Sequence, residues 1–256
     1  MADHRLARSL VCAALGFASI IGGRAHAVDG VIEINQDRAV KGGITPDDTP
    51  GFPITISTGV GGSEAMSFRL TGPLATSSSS SIIEILSPHV TIDLNGFMIS
   101  CLLPMCSGTA ITSTQQNITV MNGTVLGFFE GVAVSGSGAR VENVRALNNS
   151  SVGIHLGNHC TVHHNTAAAN GTDGIKVGVG CTVSANTASS NVGDGICTLL
   201  GCNVTGNTAR GNTGFGLNLS IGTGYSQNVI SENTAGTVFG GVSAGLNVCN
   251  GSMACP

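Results

Sequence analysis

Residues 153–173 read GIHLGNHCTVHHNTAAANGTD, residues 174–194 read GIKVGVGCTVSANTASSNVGD, and residues 195–215 read GICTLLGCNVTGNTARGNTGF. Aligned, these three segments define a 21-residue repeat. Gly153, Gly174, Gly195 and Gly216 fall 21 apart, as do Cys160, Cys181 and Cys202. So do Asn165, Asn186 and Asn207, and Asn170, Asn191 and Asn212. A period of this length marks a solenoid, in which one coil cannot bury its apolar face without neighbours. Helical periodicity is absent, and glycine, 38 of 256 residues, is too frequent for helices.

Within a repeat the alternation predicts three short strands. Ile154 and Leu156 point inward and His155 outward; Cys160 and Val162 point inward, as does Ala167. The Asn positions fall at the bends. There each amide can bond the same amide one coil above and below, which satisfies a polar group that is costly to bury. The glycine before each first strand is expected to supply a positive φ at a bend. Working outward, similar coils run back through Ile118-Thr119-Val120 to Val90-Thr91-Ile92-Asp93. The Cys101–Cys106 segment stretches one coil, and a five-residue insertion near Tyr225 stretches another.

The remainder divides around this core. Residues 1–27 have a basic start at Arg5 and Arg8, an apolar run too short to span a bilayer, and Ala25-His26-Ala27 at their end. They read as a signal peptide. Residues 28–81 form an N-terminal cap and first strands, with Ile54 to Ser57 and Ser67 to Ala75 covering the first coil; residues 82–246 form the coils; residues 247–256 form a C-terminal disulfide cap. The fold class is therefore all-β: a solenoid of about eight coils of roughly 21 residues, with three short strands per coil.

Loss of residues 1–27 takes Lys+Arg from 10 to 7 and Asp+Glu from 14 to 13, so the net charge goes from −4 to −6. This argues against nucleic acid as a partner and against anionic membranes. No membrane insertion is expected after cleavage, and the location is secreted or periplasmic. Cys12 leaves with the signal, so eight of nine cysteines remain, an even number that favours disulfides in an oxidising compartment. Cys101/Cys106 and Cys249/Cys255 are expected to pair. Cys197/Cys202 can pair across a turn. Stacked coils about 4.8 Å apart also allow Cys160–Cys181 or Cys181–Cys202, and a column of buried free thiols is the alternative.

Chemistry is harder to find. Four of the mature chain's five histidines, His155, His159, His163 and His164, lie in one repeat. Neutral imidazoles bind zinc or copper, but adjacent strand residues face opposite ways, so no metal site is expected. His155 and Lys176 share the outward position of successive coils, and Asn218 takes it two coils after Lys176. Asp173 and Asp194 stand beside the same face. The Gly-x-Gly sets lack a following helix, and Gly241-Val242-Ser243-Ala244-Gly245 has no acid or histidine after it to complete a triad.

Three strands per coil with Asn at the turns resemble the right-handed parallel β-helix of the pectin-lyase-like superfamily. The segments Val90 to Phe97 and Asn117 to Val125 look like opening coils of secreted bacterial β-helix repeat proteins, many without assigned activity. The resemblance implies an exported scaffold with weak polysaccharide contacts and no cofactor. Lyases and epimerases of the same superfamily imply an alternative, a calcium-assisted enzyme acting on uronate polymers. In that case His155 and Lys176 are the catalytic residues, and Asp173, Asp194 and Asn218 bind substrate. Mannuronan epimerases of the superfamily carry Asp-Pro-His-Asp. Here Ser87-Pro88-His89-Val90 lacks both acids, so that active site is not carried over.

Overall fold

The computed structural model describes residues 30–59 and 65–255. The expected signal peptide lies outside them. Apart from one short helix, Gln36–Lys41, the regular structure of the described chain is strand, paired in parallel from one coil to the next to build three sheets around one core.

Nine segments stack on the first sheet, in the register Ile54, Ile83, Ile111, Val132, Ile154, Ile175, Ile196, Leu217, Val238. The stack thus has about nine coils and starts before Ile82. Ile54–Ile56 and Met66–Leu70 do not merely cover the first coil; they pair in register with Ile83–Ile85 and Val90–Asp93 and are coil strands themselves. All nine residues in that register are buried. Each aliphatic side chain contributes about 1.5–3 kcal/mol relative to exposure. The second sheet stacks Val120, Val141, Val162, Val183 and Val204, and the third stacks Ala146, Ala167, Ala188 and Ala209, again with the expected inward faces.

Small side chains on the third sheet leave room for the asparagine ladders. Asn165 Nδ2 donates to Asn186 Oδ1 at 3.0 Å, Asn186 to Asn207 at 3.0 Å, and Asn207 to Asn228 at 3.0 Å. A second ladder runs Asn149, Asn170, Asn191, Asn212, Asn233. Each amide oxygen also accepts the backbone N–H of the preceding coil's asparagine. No buried side-chain polar atom among the described residues lacks a partner.

The glycine expectation needs correcting. Gly153, Gly174, Gly195 and Gly216 do not have positive φ. They are required because a Cβ would collide with the ladder: at Gly174 it would lie 2.6 Å from Asn191 Nδ2 and 2.8 Å from Gly195 O. The left-handed positions form other columns, one residue per bend, and are occupied by whatever the coil supplies: His159, Gly180, Gly201; His164, Ala185, Gly206; Ala169, Ser190, Gly211.

The two ends are finished differently. At the N-terminal end, Val31–Ile34 pairs with the second sheet's first coil strand, Met66–Leu70. The Gln36 side chain replaces a strand on the third sheet, accepting from Ala75 N–H and donating to Ala75 O. Asp48 and Thr45 do the same on the first sheet, accepting Thr55 N–H and donating to Thr55 O. At the C-terminal end the third sheet finishes with Val248–Cys249, where Cys249 bridges to Ser252 and is pinned by the Cys249–Cys255 disulfide.

Candidate functional site

The outer face of the first sheet carries His155, Lys176, Cys197 and Asn218 as a row in adjacent coils. His155 Nδ1 lies 3.0 Å from Glu130 Oε1, a partner that the repeat did not announce. The pair borders a groove of about 250 Å³ lined also by Thr112, Ser113, Thr114 and Ser135. The groove lies on the N-terminal side of His155, whereas Asp173 and Asp194 lie on the C-terminal side, so the expected residues are not gathered into one pocket.

The two aspartates are engaged in building the coil. Asp173 Oδ1 accepts the Asp194 N–H at 2.8 Å. Asp194 Oδ1 accepts the Phe215 N–H at 2.6 Å, and its Oδ2 accepts from Asn218 Nδ2 at 2.7 Å. These bonds repeat one coil apart and satisfy backbone donors at the bend before the first sheet. Burial pushes the Asp173 carboxyl above its usual value, against the Asp194 N–H that favours the charged form. Burial first, then Asp173 and Asp194, push the Cys197 thiol up to about 11, with Lys176 opposing.

The four histidines do not converge. His155 faces the first-sheet groove. His163 Nε2 lies 2.7 Å from Glu142 Oε2 on the second sheet, where Arg140 Nη2 reaches the same oxygen at 2.5 Å. His159 and His164 hold left-handed bend positions, at φ 55° and 57°. Among the described residues no three His, Cys, Asp or Glu side chains are placed to hold a metal ion. Three of the four Asp173 and Asp194 oxygens already accept N–H bonds.

The cysteines divide into two sets. Cys101–Cys106 and Cys249–Cys255 are disulfides. Cys160, Cys181, Cys197 and Cys202 are free thiols. The pairing of Cys197 with Cys202 across a turn is not formed, because Cys197 stands on the outer row while Cys202 points into the core. Cys160, Cys181 and Cys202 form a buried column in place of a bridge.

Parallel pairing in three faces, coil after coil, with ladders at the bends, has a counterpart among known families. A family model described as a right-handed beta helix region matches residues 77–213, more than half of the sequence. The chain belongs to this right-handed β-helix family. Among solved structures, this β-helix protein is similar to the A-module of the mannuronan C-5 epimerase AlgE6 of Azotobacter vinelandii. The identity is 15% and the TM-score 0.34, over 69% of this chain and 80% of that one. No residue role is transferred from that likeness. No curated protein matches the chain. Among the described residues no helix is long and apolar enough to cross a membrane.

Proposed function

We propose that this β-helix protein is an exported scaffold that contacts glycans weakly through the outer face of its first sheet and does no chemistry on them. The observation that carries this reading is the engagement of Asp173, Asp194 and Asn218. Their polar atoms hold one coil to the next. On the other side of His155 the groove offers hydroxyls of Thr112, Thr114 and Ser135, which suit sugar hydroxyls without selecting a charged ring. There is no Trp, and the single Tyr, Tyr225, is buried. Without a ring platform, binding is expected near a Kd of about 1 mM, roughly −4 kcal/mol. The two disulfides suit an oxidising compartment outside the cytoplasm.

Saturation-transfer NMR with a panel of neutral and uronate polymers tests this reading. Contacts weakened by Ser135→Ala, with every polymer intact afterwards, support it. No contact with any polymer removes the glycan part.

A second reading is favoured by one contact, His155 to Glu130. A carboxylate that orients an imidazole leaves the other ring nitrogen able to take a proton. With Lys176 in the next coil, this supports a lyase or epimerase acting on uronate polymers. Calcium enters that reading only if the uronate carboxylates bring the missing ligands. A time course by NMR, with and without calcium, decides between the two. New unsaturated ends or inverted uronate signals, lost in His155→Ala, establish the enzyme; unchanged spectra dismiss it for those substrates.

A further inference from the structure

We propose that the C-terminal end of the coil stack is a docking surface for a second copy of this chain, meeting it tail to tail about a two-fold axis. Three observations converge there. The first is an open edge. Gly236–Ser243 pairs on one side with Phe215–Ser226, and no strand among the described residues pairs with its other side. An unpaired edge is a template for another strand. At the opposite end the corresponding edges are closed by Val31–Ile34 and by the side chains of Gln36, Thr45 and Asp48. Among the described residues, the edge of the first sheet is thus closed at the N-terminal end and open at the C-terminal end.

The second observation is a group of exposed apolar side chains at this end, although Leu102, Met105 and Val192 are as exposed elsewhere. Phe239 is 59% exposed, Val242 64%, Leu246 66% and Met253 70%. Leu200, Ile221, Phe239 and Val242 line a groove of about 540 Å³. It offers a seat for an apolar side chain from across the interface.

The third observation selects the occupant. The full chain carries a net charge of −4, yet between Gly211 and Pro256 its sole charged side chain is Glu232. That carboxylate is held by Arg210 through two bonds of 2.9 and 3.0 Å. Two like-charged copies would repel over most of their surfaces. Here they meet without opposing charges, with both chains presenting neutral, apolar surface. A two-fold axis makes the patch self-complementary, and antiparallel pairing of the extended stretch around Val238 with its own copy satisfies both edges at once.

The test is the molar mass of the purified chain by light scattering over a concentration series. The expected result is a twofold rise from monomer to dimer. Phe239→Lys with Val242→Lys should restore the monomer mass, while Val192→Lys, at an equally exposed site away from the end, should leave the dimer intact. A wild-type chain that is monomeric throughout overturns the proposal, as does a dimer that survives both edge lysines. Should the double variant fail to fold, hydrogen exchange on the unaltered chain decides. Slower exchange at Thr237 to Ser243 as concentration rises supports the dimer, and concentration-independent exchange overturns it.

Discussion

Cys160 Sγ lies 2.7 Å from Cys181 Sγ, one coil away in the core, and the Cys160 N–H also donates to Cys181 Sγ at 3.2 Å. The column continues, with Cys181 N–H donating to Cys202 Sγ and Cys202 N–H to Thr223 Oγ1. These thiols take the place that an amide takes at the neighbouring bends, so sulfur serves as the backbone acceptor.

This arrangement predicts which thiols react. The thiolate is the nucleophile. Hydrogen bonding with Cys160 and burial hold the Cys181 thiol at about 11, and bonding with Cys181 raises Cys202 as well. Among the cysteines of the described residues, iodoacetamide should therefore label only Cys197 in the folded chain, and all four free ones after denaturation without reductant. Because Cys197 also stands at about 11, its labelling should quicken about tenfold per pH unit between pH 7 and 10. Asp173→Asn keeps an oxygen for the Asp194 N–H but removes a charge, and should speed Cys197 labelling at pH 8 by about two- to fivefold. Mass spectrometry reads both results. Two labels in place of four after denaturation would mean that the column is oxidised to a bridge.

The amide ladder makes a separate claim about stability. Asn186 accepts from Asn165 N–H and Nδ2, and donates to Val162 O and Asn207 Oδ1. Asn186→Ala leaves the buried Asn165 N–H without its acceptor and opens a small void. A loss of about 3 kcal/mol is expected. Asn158→Ala removes one exposed acceptor of the Val179 N–H and should cost about 1 kcal/mol. Urea unfolding midpoints compare the two. Equal losses would mean that the ladder is no stronger than an exposed bend contact.

Acid should expose a third feature. Arg140 is the main cause that holds the Glu142 carboxyl below its ordinary 4.5, with His163 adding to it and burial opposing. A carboxyl lowered in the folded state stabilises the fold above its unfolded value, and that contribution is lost as pH falls through the folded value. The contribution is therefore fully present at neutral pH, and its pH dependence lies below pH 4.5. Arg140→Ala should move the Glu142 titration upward and flatten the acid dependence of stability. His163→Ala should do so less. Carboxyl carbon shifts followed by NMR from pH 2 to 6 check the order.

Some of this could be read in advance, for physical reasons. Where spacing is 21, register follows from sequence, which is why the inward faces of Ile154, Val162 and Ala167 and the Asn165–Asn186 ladder were legible. The same arithmetic links Glu142 to His163, one repeat apart. Glu130 could not be found this way. It lies 25 residues before His155, at a bend where one coil is a residue longer, and its side chain reaches forward out of register. The capping roles of Gln36, Thr45 and Asp48 were equally hidden, because a side chain that imitates a strand leaves no periodic trace.

Glycine shows how one residue type answers two constraints, and the contrast can be measured. At Gly201 φ is +66° and nothing lies within 4 Å of a Cβ position. Gly201→Ala therefore meets only backbone strain, about 1 kcal/mol. At Gly174 φ lies outside the left-handed region, yet a Cβ would press on Asn191 Nδ2 and Gly195 O, both fixed by the stack. Neither can retreat without disturbing the ladder above and below. Gly174→Ala should cost about 3 kcal/mol and lower the urea midpoint well below that of Gly201→Ala. If Gly201→Ala proved the more damaging, the repeat glycines would owe their spacing to backbone conformation after all, and the ladder would have to yield to a methyl group.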